Sequence, residues 1–181
     1  MKYKLTDVKI NFMGKTLFQI EAVKCFGDIV KGQKGGFIEK ESNLSQGGNA
    51  WVYGNAWVYG NAKVYGNAKV YGNAKVYGDA EVYGNAKVYG NAWVRGNAKV
   101  YGNAKVKGNA DYLVIGPIGS RNDITTFFKT ANNDIKVSCG CFTGTIEEFL
   151  EKVNETHGNN NYAKEYKTAV EIAKIHIFGG E

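Results

Sequence analysis

The chain is poor in the side chains on which most chemistry depends. Its 181 residues include three cysteines, two histidines and two arginines. Cys25, Cys139 and Cys141 are odd in number, and Cys139 and Cys141 have no histidine near them in sequence. That argues against a disulfide framework or a metal site and for reduced, non-catalytic thiols. Both histidines, His157 and His176, lie in the last 25 residues of the sequence. No apolar run approaches the length of a bilayer-spanning helix, and the opening MKYKLTDVKINF has no apolar stretch of signal-peptide length. The expectation is a soluble cytoplasmic protein with no membrane partner and no cofactor.

What is abundant is repetition. Ten copies of X-Val-Tyr-Gly-Asn-Ala run from Trp51 to Ala110 with few departures. Each Ala stands two residues before the next Val, so in a strand both point to one face, while the residue between them and the Tyr after Val point to the other. Gly-Asn supplies a bend, since both residues tolerate positive φ better than most. A helix would need a period of 3.6, and a two-layer sandwich would need longer strands and varied turns. Period six specifies a parallel β-solenoid with Ala and Val inside. If three units make a turn, as in the left-handed β-helix proteins that this repeat resembles, the ten repeats make just over three turns. Phe37, Ile38 and Leu44 add part of a fourth, with the two extra residues around Gln46 and Gly47 forming a bulge. The open ends of such a stack need caps.

The flanks supply candidates. Residues 1–36 read as a β-hairpin cap, with alternation over residues 7–23 about a turn at Met13-Gly14-Lys15; residues 37–110 form the solenoid. Residues 111–181 read as a small α+β domain of three strands and two helices. Its strands are 111–115, 124–129 and 135–139, and its helices begin near Thr145 and Tyr162. Thr145-Ile146-Glu147-Glu148 is a capping box, and the second helix places Tyr166, Ala169, Val170 and Ala173 on one face.

The whole net charge of +6 resides in residues 51–110, and the rest of the chain is balanced. A basic surface of this kind suits nucleotides, nucleic acid or other acidic partners, and equally serves only to keep a repeat soluble. If three units make a turn, residues 18 apart stack on one face. One face then carries Trp57, Lys75 and Trp93 beside Tyr59, Tyr77 and Arg95; another carries Lys63, Glu81 and Lys99, an alternating charge column. Two outward tryptophans mark Trp57, Tyr59, Tyr77, Trp93 and Arg95 as a subunit interface, unless the tryptophans do no more than sandwich Lys75.

The most suggestive local constellation is the loop from Gly116 to Asn122. Its backbone N–H groups, Ser120 and the planar fork of Arg121 suit a phosphate or carboxylate, giving Gly119, Ser120, Arg121, Thr125 and Thr126 as candidate ligand residues. The alternative is a hairpin turn with an exposed Arg. A second glycine cluster, residues 139–145, leads into a helix N-terminus, where anions are favoured; strand-to-helix geometry explains it as well. His157 reads as a solvated loop residue and His176 as a complement to a helix dipole.

The repeat resembles the hexapeptide unit of left-handed parallel β-helix proteins, with Gly one place later than in the commonest version. The wider layout resembles bacterial and prophage proteins of that kind: Gly-Gly-Phe-Ile-Glu at 35–39, Asn-Leu-Ser at 43–45, YGNAKV-type repeats, and Gly-Cys-Phe-x-Gly-Thr-x-Glu-Glu at 140–148. The resemblance implies a homotrimer and a label of acyltransferase. Yet the solenoid has no His to act as general base, nor any for a three-His zinc site. The expectation is therefore a non-catalytic, trimeric, phage-encoded protein that sequesters a small anionic ligand such as a signalling nucleotide. A coenzyme A-dependent acyltransferase, a structural or protein-binding module and nucleic-acid binding by the lysine-rich face are the alternatives.

Overall fold

The structure, a computed structural model, describes residues 1–179. The ten repeats form ten two-residue strands, β4 to β13, from Trp51–Val52 to Lys105–Val106. Each pairs in parallel with the strand 18 residues away, as in Trp57↔Lys75 and Lys75↔Trp93. Strand β3 (Lys34–Ile38) pairs with Trp57–Val58, and Leu44 bridges to Val64. Each of the three faces thus has four rungs, and the solenoid has about four coils. The inward alanines and valines from Ala50 to Val106 are 0–1% exposed.

Glycine and asparagine divide the work at the corners. Gly54 to Gly102 hold φ between +52° and +72°, whereas no repeat Asn has positive φ. Asn instead donates its side-chain N–H to the equivalent residue one coil on, as in Asn49 to Asn67 at 3.2 Å and Asn67 to Asn85 at 3.1 Å. Outside, tyrosines stack along the axis: Tyr59 on Tyr77 at 4.9 Å and Tyr65 on Tyr83 at 4.8 Å. Lys63, Glu81 and Lys99 do lie in register, but the Glu81 carboxylate accepts from the Tyr65 hydroxyl at 2.8 Å, and no ion pair joins it to either lysine among the described residues.

The N-terminal hairpin, β1 (Tyr3–Phe12) and β2 (Lys15–Ala22), extends one solenoid sheet past its first rung through β2–β3 pairing. Tyr3, Ile20 and Ile29 close that end of the core. Trp51, placed outward by the repeat, is fully buried there, edge-on to Tyr3 and Phe26 at 6.2 and 5.4 Å. The two extra residues near Gln46 are held by Lys2, 1% exposed, whose ammonium donates to the carbonyls of Gly47, Gly48 and Ala50 at 3.2, 3.3 and 2.8 Å.

At the other end lies an antiparallel sheet of four strands: β14 (Tyr112–Ile118), β15 (Asp123–Lys129), β16 (Ile135–Cys139) and β17 (Phe142–Thr145). Three were expected. The fourth arises because Gly140 adopts φ +59° and turns the chain back, so that Cys139 pairs with Phe142 before any helix begins. Helix α1 (Ile146–His157) starts with the expected box, Thr145 accepting from Glu148 N at 3.2 Å and Glu148 from Thr145 N at 2.7 Å. Helix α2 (Asn161–Phe178) buries Tyr166, Ala169, Val170 and Ala173.

The sheet has a core on each side. Phe128 joins the solenoid core and meets Tyr101 edge-on at 5.0 Å, while Phe127, its neighbour in sequence, joins the helical core. Side-chain alternation along β15 requires this split. Tyr101 donates to Val137 O at 3.0 Å, and Ala131 N donates to Asn103 O at 3.0 Å. The C-terminal sheet therefore caps its own chain's solenoid. Among the described residues no helix is long and apolar enough to cross a membrane.

Candidate functional site

Ser120 and Arg121 stand in the turn joining β14 to β15, closed by an Asn122 N to Gly119 O bond of 3.1 Å. Gly119 is required there twice over. Its φ is +71°, and an added Cβ would overlap the Tyr166 ring. Its N–H is not free for a phosphate, because it donates to the Glu165 carboxylate of α2 at 2.6 Å. Arg121 crosses to the neighbouring Gly140–Cys141 turn, where its Nη1 lies 3.8 Å from Cys141 Sγ.

These two turns and α1 leave a cavity of about 300 Å³. Its polar lining includes Ser120, Arg121, Lys152 and His157; Phe142, Phe149 and Tyr166 supply aromatic walls, with Cys139 and Cys141 between them. Among the described residues no acidic one lines it. The placement follows from the fold. Phe149 and Val153 turn inward from α1, which sets Lys152 and Thr156 along the cavity edge, and the end of α1 brings the His157 ring to 5.9 Å from Tyr166. Burial, with the neighbouring Cys139 and Glu165, pushes the Tyr166 hydroxyl up to about 12, against the pull of Arg121, so at neutral pH it is an uncharged donor. Lys152 also pairs with Glu155 at 2.9 Å, which holds its ammonium above the usual lysine range.

The two threonines named from sequence are not part of this cavity. They occupy opposite faces of β15 and are both buried. Thr125 points its hydroxyl at Cys139 Sγ at 3.2 Å, and Thr126 accepts from Lys99 N at 3.2 Å on the solenoid side. Lys152, His157 and the aromatic walls were missed. The cue was the helical spacing of Lys152 and Thr156 beside Phe149 and Val153, but the partner turns are remote in sequence.

The expected subunit face is partly covered within the chain. Phe12, at the hairpin tip, lies 5.0 Å from Trp57 and 6.0 Å from Tyr59, leaving Tyr59 8% exposed. Lys75 sits 4.2 Å from the Trp57 ring and 5.0 Å from that of Trp93, the sandwich arrangement. Arg95 Nη1 lies 3.5 Å from the Tyr77 hydroxyl. Of the two tryptophans, Trp93 alone stays well exposed, at 41%.

No protein-family model matches the chain, and no curated protein is similar to it. The structure shows stacked parallel coils of 18 residues, an arrangement compatible with a β-helix.

Proposed function

We propose that the protein is a non-catalytic, oligomeric binding protein that captures a small anionic ligand, of the signalling-nucleotide class, in the Arg121 cavity. The observation carrying this reading is the lining: Arg121, Lys152 and a histidine around aromatic walls, with no carboxylate among the described lining residues and Glu155 outside it paired with Lys152. Charge-assisted bonds from Arg121 and Lys152 suit phosphate, and the half-buried Phe142 ring suits a base. On this reading the coil is left-handed, the assembly is a homotrimer using the exposed Trp93 beside Arg95, and the setting is a bacterial cytoplasm under phage infection. Handedness, trimer and setting come from the repeat resemblance.

The test is native mass and thermal shift with cyclic dinucleotides, ADP-ribose and coenzyme A, for the protein and for Arg121→Ala. A nucleotide that stabilises the protein and not the variant supports capture. Stabilisation by coenzyme A alone points to an acyltransferase, and an intact oligomer indifferent to all three points to a structural role.

A further inference from the structure

The three outward tyrosine columns end differently where the solenoid meets the C-terminal sheet. The column through Tyr59 and Tyr77 is closed by Arg95, and the column through Tyr65, Tyr83 and Tyr101 by the edge of Phe128. The third runs Tyr53, Tyr71, Tyr89 and then reaches Lys107, where the repeat departs from Tyr. Tyr89 stacks on Tyr71 at 4.9 Å on one side, and on its other side no ring or cation stacks on it among the described residues. Lys107 runs past Gly90, the residue after Tyr89: a Cβ added there would meet Lys107 O at 2.5 Å and Lys107 Cγ at 3.2 Å.

Beside this half-buried ring is a cleft of about 260 Å³ whose lining includes Tyr89, Lys105, Lys107, Lys129 and Asp111. Asp111 is already engaged, its Oδ2 accepting from Lys107 N at 2.7 Å and Gly108 N at 2.9 Å. Lys105 and Lys107 are exposed and make no ion pair among the described residues, and Lys87 is in register with Lys105 one coil below. The cleft thus combines an aromatic ring stacked on one side only with two exposed lysine side chains. It is separate from the Arg121 cavity, since the two lie at opposite ends of β15, about 20 Å apart along a strand of that length.

We propose that this cleft is a second ligand site, for a planar aromatic ring bearing a phosphate: the ring stacks on Tyr89, completing the column, and the phosphate pairs with Lys105 and Lys107. Stacking tolerates any flat ring, and the ammonium pair selects the anion. A mononucleotide and a simple aryl phosphate share this chemistry.

The test uses Lys107→Tyr, which restores the residue carried by most other repeats and so keeps the coil intact, with Tyr89→Leu as a second variant. Binding of AMP, phenyl phosphate, adenosine and inorganic phosphate is followed by amide NMR shifts. AMP or phenyl phosphate is expected to move Tyr89, Lys105 and Lys107, and to bind at least about tenfold more weakly to either variant, with Arg121→Ala unchanged. A preference for AMP identifies a nucleotide ligand and a preference for phenyl phosphate an aryl phosphate. The proposal is overturned if inorganic phosphate binds as tightly as both, if Lys107→Tyr binds undiminished, or if Arg121→Ala abolishes the same shifts.

Discussion

One coil above or below an inward valine of the solenoid there is another valine, whereas in the C-terminal module the adjacent residues Phe127 and Phe128 enter two different cores. The solenoid meets its packing demands by one rule applied ten times, so each coil depends only on its neighbours. The module meets them through contacts each used once: β15 between two cores, α1 against the sheet, α2 against β14. The inward alanines and valines of the solenoid are 0–1% exposed and line neither of the two cavities described above. The cavities with chemical variety therefore sit in the module and at its seam with the last coil, where the repeat ends and turns of unrelated sequence meet.

The sharpest way to break this contrast is to put one charge into the repeated core. Val76 is fully buried with valines in register on both sides, so Val76→Asp leaves a carboxylate without a partner. The expected cost is on the order of 5 kcal/mol or more, enough to lose the folded protein. Urea unfolding followed by circular dichroism checks it; a variant of near-normal stability would mean that coils can open individually. The module counterpart is Phe149→Ala. Phe149 is 3% exposed and touches Phe127, Phe142 and Tyr166, so the expected loss is about 3–5 kcal/mol. Amide exchange should rise over residues 146–178 while the coils stay protected. Equal loss of protection in both regions would make the molecule one cooperative unit.

The same contrast decides what could be read from the sequence. The interior and the glycine corners follow from a period of six, because each position recurs in the same environment; the 18-residue coil, and with it the outward columns, came from the resemblance to three-unit coils. The hairpin and both helices follow from alternation and from the Thr145 box. Trp51 was misplaced because its burial depends on Tyr3 and Phe26, which no periodicity links to it. Likewise Phe12 covers Trp57 from 45 residues away. At the site, Ser120 and Arg121 were legible as rare residue types in a turn. Lys152 and His157 were not, since only the packing of α1 on the sheet brings them near Arg121.

The caps offer a smaller, pH-dependent test. Burial lowers Lys2 to about 8, with its ammonium held by three carbonyls. The unfolded value is the ordinary 10.5. Between these pH values the unfolded chain binds more protons, so stability rises with pH from about 8 upward and falls short of that level below 8. The contribution is about 1–3 kcal/mol. Measured from pH 7 to 9.5, below the range in which tyrosines ionise, chemical denaturation should show this rise in the protein and not in Lys2→Met. Parallel pH profiles for the two would mean that the Lys2 ammonium stays charged throughout the window in the folded state.

The smallest expected change in stability belongs to the residue on which the functional reading depends most. Arg121 is exposed and has no ion pair among the described residues, so Arg121→Ala should alter stability by no more than about 0.5 kcal/mol. A binding residue that contributes little to folding can be removed cleanly. Phe149 cannot, since its loss loosens α1 and the cavity together. If Arg121→Ala keeps the melting temperature and loses nucleotide stabilisation, the site is an accessory to the fold, held by a module whose packing is settled elsewhere. If it lowers the melting temperature by several degrees without ligand, the guanidinium is a clamp between the Gly119 and Gly140 turns, and the absence of acid from the cavity reflects packing around that clamp. Ligand titration and ligand-free melting of one variant separate the two roles.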